Sequence, residues 1–288
     1  MDIIAKIKKQ YNDFSKGQRQ IGDYILNHYD QAAYLTAASL GKTVGVSEST
    51  VVRFAFELGY DGYPSLQRSL QDVIKTKLTS VQRMAMGETR IGSEDILTAV
   101  LNQDIEKIKK TLETIDKDAF KRAVQAITGA ERIYVLGIRS SAALASFLGF
   151  YLNLIFTNVR LVQTSSASEM FEQIIRVSEK DVVIGISFPR YSLRTIRALR
   201  YARDKGAKVV AITDSLASPI VSQADHVLTA RSDMTSFVDS LVAPLSVINS
   251  LIVALGMEKK VDLMNTFDEL EKIWEEYDVY EKVNDDNE

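Results

Sequence analysis

The second half of the chain alternates short strand-like runs with helical segments, and this alternation restricts the available folds more than any other feature. From Arg132 onward, apolar runs rich in Val and Ile recur between segments with helical periodicity. The five runs read RIYVLGI, NVRLVQT, DVVIGIS, KVVAIT and HVLTA. The third and fourth runs are almost wholly apolar, as strands buried on both faces require. The pattern predicts an α/β domain with a parallel sheet flanked by helices.

The first part of the chain contains no such run and shows apolar residues at helical spacing. We therefore expect an all-α domain over residues 1–78. A stretch with two glycines and several polar residues follows, and we expect a linker and connecting helix over 79–105, with the helix running from about Ser93 to Thr114. Residues 106–288 are then expected to form the α/β domain with an acidic C-terminal helix.

Composition narrows the class of protein. The sequence has no cysteine, and its two histidines, His28 and His226, lie far apart, so we expect no metal site and no cofactor. There is no apolar run of about 18 residues and no signal-peptide core at the N-terminus, so we expect a cytoplasmic protein without a membrane span.

The net charge of −3 hides an uneven distribution, because residues 261–288 hold two lysines against eleven acidic residues, hence −9. The rest of the chain therefore carries +6, which leaves a basic body compatible with DNA binding.

The segment LTAASLGKTVGVSESTVVRFAFELGYDGY has the spacing of a helix-turn-helix. Gly41 would let two helices approach closely, and Gly45 would supply the positive φ of the turn between them. Ser47 is placed to cap the second helix. In that helix, the residues expected to remain outside the core stripe could contact phosphates or base edges in the major groove. The candidate DNA contacts are Ser49, Thr50, Val52 and Arg53 of the second helix and Lys42 of the first helix. Lys16 and Arg19, which precede the motif, could add phosphate contacts. The alternative is a helical hairpin without a DNA role.

A longer pattern favours DNA binding over that alternative. The sequence Ser-x-Ser-Thr-Val-x-Arg-Phe, followed by Leu-Gly-Tyr-x-Gly-Tyr, resembles the N-terminal domain of the RpiR family of bacterial transcription regulators over roughly residues 1–78. The resemblance implies operator DNA as a partner and gives Ser49, Thr50 and Arg53 the recognition role. The chain departs from the family at Gly41, where such motifs usually carry Ala, and at Phe56 and Glu57, where a basic residue is common.

Three strand-to-helix junctions carry serines that could bind an anion. Ligands of open parallel sheets lie beyond the carboxyl ends of the strands, and helix N-termini there favour negative charge. Arg139 and Arg190 could add positive charge, although each serine could instead be a simple helix cap. The candidate ligand residues at the three junctions are Arg139, Ser140 and Ser141, then Ser187, Arg190 and Ser192, and finally Ser166 and Glu169.

These junctions resemble the sugar isomerase (SIS) domain, which binds phosphosugars, over roughly residues 122–260. The usual first loop, Gly-x-Gly-x-Ser, corresponds to residues 137–141, which keep the first Gly and the Ser. The usual second loop, Ser-x-Ser-Gly-x-Thr/Ser, is matched by Ser187 and Ser192, while Pro189 and Arg190 replace the inner Ser and Gly. RpiR regulators join the two domains in this order, so the resemblance implies a phosphorylated sugar as effector. Because a helix-turn-helix reads two half-sites, we expect a homodimer or a tetramer.

The alternative function is a phosphosugar isomerase with an N-terminal oligomerisation domain. Isomerisation of aldoses and ketoses needs a base, usually Glu or His. The helix after the last strand offers Asp239 but no Glu or His, and His226 lies in a strand. Glu169 and Glu172 are the only carboxylates near a candidate junction, and a single carboxylate at the ligand does not make a convincing acid–base site. We therefore expect a regulator and not an enzyme.

Overall fold

The computed structural model describes residues 3–91, 95–163 and 166–280. The chain divides into two compact units. Unit 1 comprises Met1–Ser93 together with the short segment Met234–Val238, and unit 2 comprises Glu94–Asp233 and Asp239–Glu288.

Among the described residues, unit 1 is helical. Its helices are α1 (Ile3–Gln10), α2 (Lys16–Asn27), α3 (Tyr29–Ala32), α4 (Ala37–Val44), α5 (Glu48–Glu57), α6 (Tyr63–Lys77) and α7 (Ser80–Ile91). They share one apolar core, to which α1 contributes Ile3 and Ile7, α2 contributes Ile21 and Ile25, and α5 contributes Phe54. All five side chains are fully buried, as the helical spacing of the sequence predicts.

Unit 2 holds the parallel sheet and the remaining helices. In chain order these are α8 (Ile96–Thr114), α9 (Lys117–Thr128), β1 (Ile133–Gly137), α10 (Ser140–Ile155), β2 (Val159–Val162), α11 (Ala167–Ile174), β3 (Val182–Ile186), α12 (Leu193–Asp204), β4 (Lys208–Thr213), β5 (His226–Thr229), α13 (Val242–Glu258) and α14 (Lys260–Glu276). The strands lie in the order β2-β1-β3-β4-β5, and every neighbouring pair is parallel.

Helices cover both faces of this sheet. One apolar core joins the strands to α9, α10 and α13, and a second core on the opposite face joins them to α11 and α12. Every residue of β1 and β3 is buried, which explains why these strands read as continuous apolar runs. The predicted fold class, an all-α helix-turn-helix domain followed by an SIS-like α/β domain, is thereby confirmed.

The stretch expected as a linker contains a helix. Residues 80–91 form α7, and contacts place this helix with unit 1, whereas α8 begins at Ile96 and belongs to unit 2. Ser93, the expected start of the connecting helix, lies outside the described residues. The domain ranges read from the sequence stay a prediction.

A helix that crosses a membrane must be long and apolar, and two helices of unit 2 approach this requirement. Among the described residues, no single helix is both long and apolar enough to cross a membrane. The bent pair formed by α13 and α14 meets that test by length and composition alone.

Candidate DNA-reading helix and ligand crevice

Helices α4 and α5 form the predicted helix-turn-helix. Gly45 closes α4 with φ +75°, the left-handed conformation that the turn requires. A Cβ added to Gly41 would lie 2.8 Å from the Val46 carbonyl oxygen, so only glycine allows the helix and the turn to approach this closely. The stripe predicted as the core face of α5 is buried, with Val51, Phe54 and Ala55 fully enclosed. The predicted geometry is confirmed at each of these positions.

The N-terminus of α5 is built on a network of hydroxyl groups. Ser47 caps the helix, with its Oγ accepting from the Thr50 backbone N–H at 3.3 Å. The same Oγ lies 2.9 Å from Ser49 Oγ and 2.8 Å from Thr50 Oγ1. The two hydroxyls expected to meet DNA are therefore held in place by the cap, and each can still accept or donate one further hydrogen bond.

The other predicted DNA contacts fall into two groups. Arg53 and Lys42 are exposed, and Arg53 Nε donates to the Ser49 carbonyl at 3.3 Å, which holds its stem along the helix. Val52 is half-buried and packs against the apolar core of unit 1, so it offers DNA less surface than the sequence pattern indicated.

A polar cleft of 370 Å³ lies where α2 and α5 begin. A Cβ added to Gly17 would stand 3.4 Å from Thr50 Cγ2, so the first turns of the two helices are in contact. Lys16 and Arg19 are exposed on α2 beside the cleft. Two helix N-termini with nearby cations favour an anion. The cleft is lined by Ser15, Gly17, Gln18, Val46, Ser47, Thr50 and Arg53.

The order of the strands places a second candidate site in unit 2. In a sheet of order 2-1-3-4-5, the connections leave the sheet in opposite directions between the first and third strands, and ligands bind in the crevice that opens there. The loop after β1 leads to α10 on one face, and the loop after β3 leads to α12 on the other. Two of the three predicted junctions therefore follow the adjacent strands β1 and β3 at this switch point, and the region between them is here called the crevice.

The wall after β1 depends on a close helix–strand contact. A Cβ on Gly137 would lie 2.4 Å from the Ser141 carbonyl oxygen, so the glycine brings the first turn of α10 onto the strand end. Ser140 is exposed, whereas Ser141 is only 4% exposed. Among the described residues, the Ser141 hydroxyl has no hydrogen-bond partner.

The wall after β3 shows the same pattern. Ser187 is 3% exposed and its backbone N–H donates to the Ile212 carbonyl at 3.1 Å, but its hydroxyl has no partner in the described part of the chain. Ser192 is a helix cap, because its Oγ accepts from the Thr195 N–H at 3.4 Å. The cap explanation thus holds for Ser192 but accounts for neither Ser141 nor Ser187.

Both arginines of the crevice have left-handed backbones. Arg139 has φ +59° and ψ −126°, and Arg190 has φ +65°. Such angles suit glycine and cost other residues about 1–3 kcal/mol each. Both positions correspond to glycines in the loop patterns that the sequence resembles, so the chain keeps the glycine conformation while adding an exposed guanidinium.

The third junction lies one strand away from the crevice. Ser166 precedes α11 without capping it, and its Oγ pairs with Ser168 Oγ at 2.8 Å. Glu169 is exposed in the first turn of α11. The structure therefore does not bring these two residues between β1 and β3.

A cluster after β4 was missed by the sequence reasoning. Tyr191 from the β3 loop donates to Asp214 Oδ1 at 2.8 Å, and Asp214 is 7% exposed. The Thr213 hydroxyl lies 2.8 Å from Ser218 Oγ and 3.3 Å from Asp214 Oδ1, within hydrogen-bond distance of both. The signal was the same as at the other junctions, namely polar residues directly after an apolar strand in the segment AITDS.

Comparison with known proteins identifies both domains of the chain. Residues 1–77 match the helix-turn-helix domain of the rpiR family, and residues 126–254 match the SIS domain. A transcriptional regulator of Haemophilus influenzae is 27% identical over 233 residues, covering 79% of each chain. The regulator HexR of Escherichia coli is 26% identical over 272 residues, covering 90% of this chain and 89% of its own.

Two solved structures share the fold. The sugar isomerase domain of an RpiR transcription factor from Sphaerobacter thermophilus has a TM-score of 0.59 and 29% identity, and it covers 62% of this chain and 98% of its own. The Vibrio vulnificus NanR protein, complexed with ManNAc-6P, also has a TM-score of 0.59, with 21% identity over 95% of this chain and 98% of its own.

Proposed function

Because the chain belongs to the RpiR family of transcription regulators, we propose that it binds operator DNA and controls genes of sugar metabolism in response to a phosphorylated sugar. The observation that carries the DNA-binding part is the capped N-terminus of α5, where exposed Arg53 stands beside the hydroxyls of Ser49 and Thr50. A helix of this kind presents its first turns to the major groove.

The DNA-binding role is tested with Arg53→Ala. If Arg53 reads a base, the variant loses about 1–3 kcal/mol of affinity for DNA that the wild-type chain selects from a random pool. Fluorescence anisotropy at a fixed salt concentration measures the loss, because salt changes the phosphate contribution.

The matched control is Arg68→Ala. Arg68 is also exposed in unit 1 but lies on α6, outside the helix-turn-helix, and its removal changes the net charge equally. Equal losses in the two variants would show that Arg53 contributes only general charge, and the recognition role would then be withdrawn.

The phosphosugar part of the proposal rests on two nearly buried serines whose hydroxyls have no protein partner in the described part of the chain. Ser141 and Ser187 lie on opposite walls of the crevice between β1 and β3, where ligands of such sheets bind. A buried hydroxyl that no protein group satisfies is a good donor for a ligand oxygen. NanR, a protein of the same fold, has been solved with a phosphosugar, which supports this class of effector.

Serine-to-alanine variants test this site. A thermal-shift screen against sugar phosphates first identifies a ligand, and Ser141→Ala and Ser187→Ala should then each weaken it by about 1–3 kcal/mol, as expected for a hydrogen bond to a charged group. Ser192→Ala serves as control, since Ser192 caps α12 and should affect stability more than affinity. Unchanged calorimetric affinity in both test variants would remove these serines from the site.

We also propose that the SIS domain senses its ligand without isomerising it. His226 lies at the amino end of β5, paired with Val210, and therefore about 10 Å along the strand from the edge where ligands bind. Burial lowers its pKa. His28, the other histidine of the sequence, belongs to the helical unit. Turnover of sugar phosphates at ordinary enzymatic rates by the purified protein would contradict a purely sensory role.

A homodimer is part of the proposal. Helix α8 exposes a stripe of apolar side chains at helical spacing: Leu97, Leu101, Ile105 and Leu112 are 68%, 53%, 49% and 67% exposed. Helix α13 of the same unit also exposes Val253 and Met257. Exposed apolar patches of this kind mark protein interfaces, and a second copy would supply the second reading helix that paired half-sites need.

A further inference from the structure

One loop of the chain belongs to both units. Residues 230–241, called the crossing loop below, connect the last strand of the sheet, β5, to α13. The middle of this loop, Met234–Val238, belongs to unit 1 by its contacts, whereas the residues on both sides of it belong to unit 2. Connecting segments normally run over the surface of the domain that carries them. The chain therefore passes from unit 2 into unit 1 and back within a single loop.

In unit 1, the middle of the crossing loop is buried. Met234 is 5% exposed and lies in the apolar core that also contains Val51 and Phe54 of α5. The Phe237 carbonyl accepts from Arg83 Nη1 of α7 at 3.4 Å. Because protein interiors are close-packed, the displacement of a buried side chain must be taken up by its neighbours. A movement of the crossing loop would therefore reach the core that supports the DNA-reading helix.

In unit 2, both ends of the crossing loop are attached to α8. Near its start, the Arg231 backbone N–H donates to Thr111 Oγ1 at 2.9 Å. Near its end, Ser240 Oγ donates to Asp104 Oδ1 at 2.6 Å, and the same oxygen accepts from Lys107 Nζ at 3.2 Å. Thr111 and Lys107 are 5% and 6% exposed, and hydrogen bonds shielded from water are costly to break. The ends of the loop are thus held by unit 2, while its middle is held by unit 1.

The crossing loop starts at the edge of the sheet where the sugar phosphate is proposed to bind. The Ala230 N–H donates to the Thr213 carbonyl at 2.8 Å, which continues the pairing of β4 and β5 to the beginning of the loop. Ligands of such sheets lie beyond the carboxyl ends of the strands. Strand β5 is two strands away from β3, so about 10 Å separates their ends.

We infer that the crossing loop transmits the state of the sugar-binding edge to the DNA-reading helix. A ligand that binds more tightly with the loop in one position than in another shifts the population of that position, and with it the packing of Met234 in the core of unit 1. The inference rests on the proposed function and names the route of its regulation. Because coupling between two sites is reciprocal, DNA bound to α5 must also change the loop and β5.

Hydrogen exchange in the full-length protein tests this reverse effect, and it requires no knowledge of the sugar. The probe is DNA that the wild-type chain selects from a random pool, and anisotropy on the same samples measures saturation. We expect exchange of the amides in residues 226–233 to change by about fivefold or more on DNA binding, a common coupling factor. Residues 214–225, which connect β4 to β5 and stay within unit 2, are the internal control and should keep their exchange rates.

Met234→Ala should interrupt the transmission. The variant should still bind DNA, but the change in residues 226–233 should fall below about twofold. Leu70→Ala is the matched control, because it also truncates a fully buried side chain of the unit 1 core, on α6, and should leave the change in place. Met234→Leu, which conserves the volume of the side chain, should also leave it in place.

Thr111→Val tests the same route from unit 2, without altering the core of unit 1. The variant removes the hydroxyl that accepts from the Arg231 N–H, and the DNA-induced change in residues 226–233 should become smaller. Thr114→Val is the control on the same helix. The Thr114 hydroxyl donates to the Lys110 carbonyl at 2.7 Å on the exposed side of α8, so its loss should leave the change as it is.

The outcomes separate the inference from the proposed function. If DNA binds and exchange in residues 226–233 is unchanged, the inference is overturned and the DNA-binding role stands. A change that persists in both Met234→Ala and Thr111→Val would also overturn it, since the effect would then take another route. If the wild-type chain selects no DNA, the proposed function fails, and the inference fails with it.

Discussion

At the scale of single residues, Arg139 and Arg190 show how a site can differ from its sequence pattern. Local preference would place glycine at both positions, and the backbone conformation of both is the one that glycine favours. A conformational cost of this kind persists only where the surrounding fold determines it, which is common at binding sites. The sequence identified both residues as candidate ligand groups, but their left-handed backbone could not be predicted, because nothing in the pattern predicts φ > 0 for arginine.

Tyr63 gives unit 1 a stability that depends on pH. Its hydroxyl donates to the Leu35 carbonyl at 2.7 Å, and burial raises its pKa to about 12. An unfolded tyrosine ionises near pH 10, so the neutral form stabilises the fold fully below pH 10, and this contribution is lost as the pH rises towards 12. Tyr63→Phe should cost about 0.5–1.5 kcal/mol at neutral pH and should remove this part of the alkaline loss.

Urea unfolding of both proteins between pH 8 and pH 12 measures the difference. Comparison of the two cancels the titration of lysines, which both proteins share. Curves that stay parallel through this range would mean that Tyr63 ionises without penalty in the folded chain.

At the scale of elements, the helix-turn-helix was predictable because its determinants are local. Gly41, Gly45 and Ser47 lie within seven residues of each other, and each acts through the backbone of its neighbours. The strands were also predictable, since apolar runs buried on both faces leave a clear pattern. The hydrogen bond from Tyr191 to Asp214 was not predictable, because it spans 23 residues and depends on the order of β3 and β4 in the sheet.

Helix α7 lies within the range predicted as linker and connecting helix, and its contacts were not visible in the sequence. Its glycine suggested a flexible segment, but a Cβ on Gly87 would lie 2.8 Å from the Ser236 Cα, within the same unit. Arg83 is fully buried in this helix, which its polar character does not suggest. Glycine at this position allows two segments that are distant in sequence to pack closely together. Residues near Gly87 in the sequence do not indicate such a contact.

The contact at Gly41 predicts the effect of the residue that related motifs usually carry. Gly41→Ala raises helix propensity by about 1 kcal/mol, but the added methyl group would meet the Val46 carbonyl at 2.8 Å. Overpacking of this kind costs about 1–3 kcal/mol, so after the gain in propensity we expect net destabilisation of up to about 2 kcal/mol. Thr43→Ala, on the exposed side of the same helix, is the control and should be neutral or stabilising. A more stable Gly41→Ala protein would show that the turn relaxes at little cost.

At the scale of the whole molecule, the charge of the chain is distributed in a way that suits a DNA-binding protein. Residues 261–288 carry −9, and the rest of the chain carries +6. The overall value of −3 would argue against a nucleic-acid partner, yet the excess of acidic over basic residues lies after α13. Long-range attraction of DNA depends on local charge within about 10 Å at ordinary ionic strength, so the basic part determines the approach.

A regulator with a DNA-reading unit and a sugar-sensing unit must obey thermodynamic reciprocity. If the effector changes the Kd for DNA by some factor, DNA must change the Kd for the effector by the same factor, commonly about 5–150-fold. Calorimetry gives the ratio of the effector Kd values measured with and without saturating DNA. Anisotropy gives the ratio of the DNA Kd values measured with and without saturating effector. We expect the two ratios to be equal. The control is Ser187→Ala, in which both factors should require higher effector concentrations but should remain equal to one another. If the sugar strongly changed the Kd for DNA while DNA left the Kd for the sugar unchanged, the two binding equilibria alone could not account for the result. It would mean that the sugar acts on another equilibrium, such as dimerisation, which the same titrations at two protein concentrations would reveal.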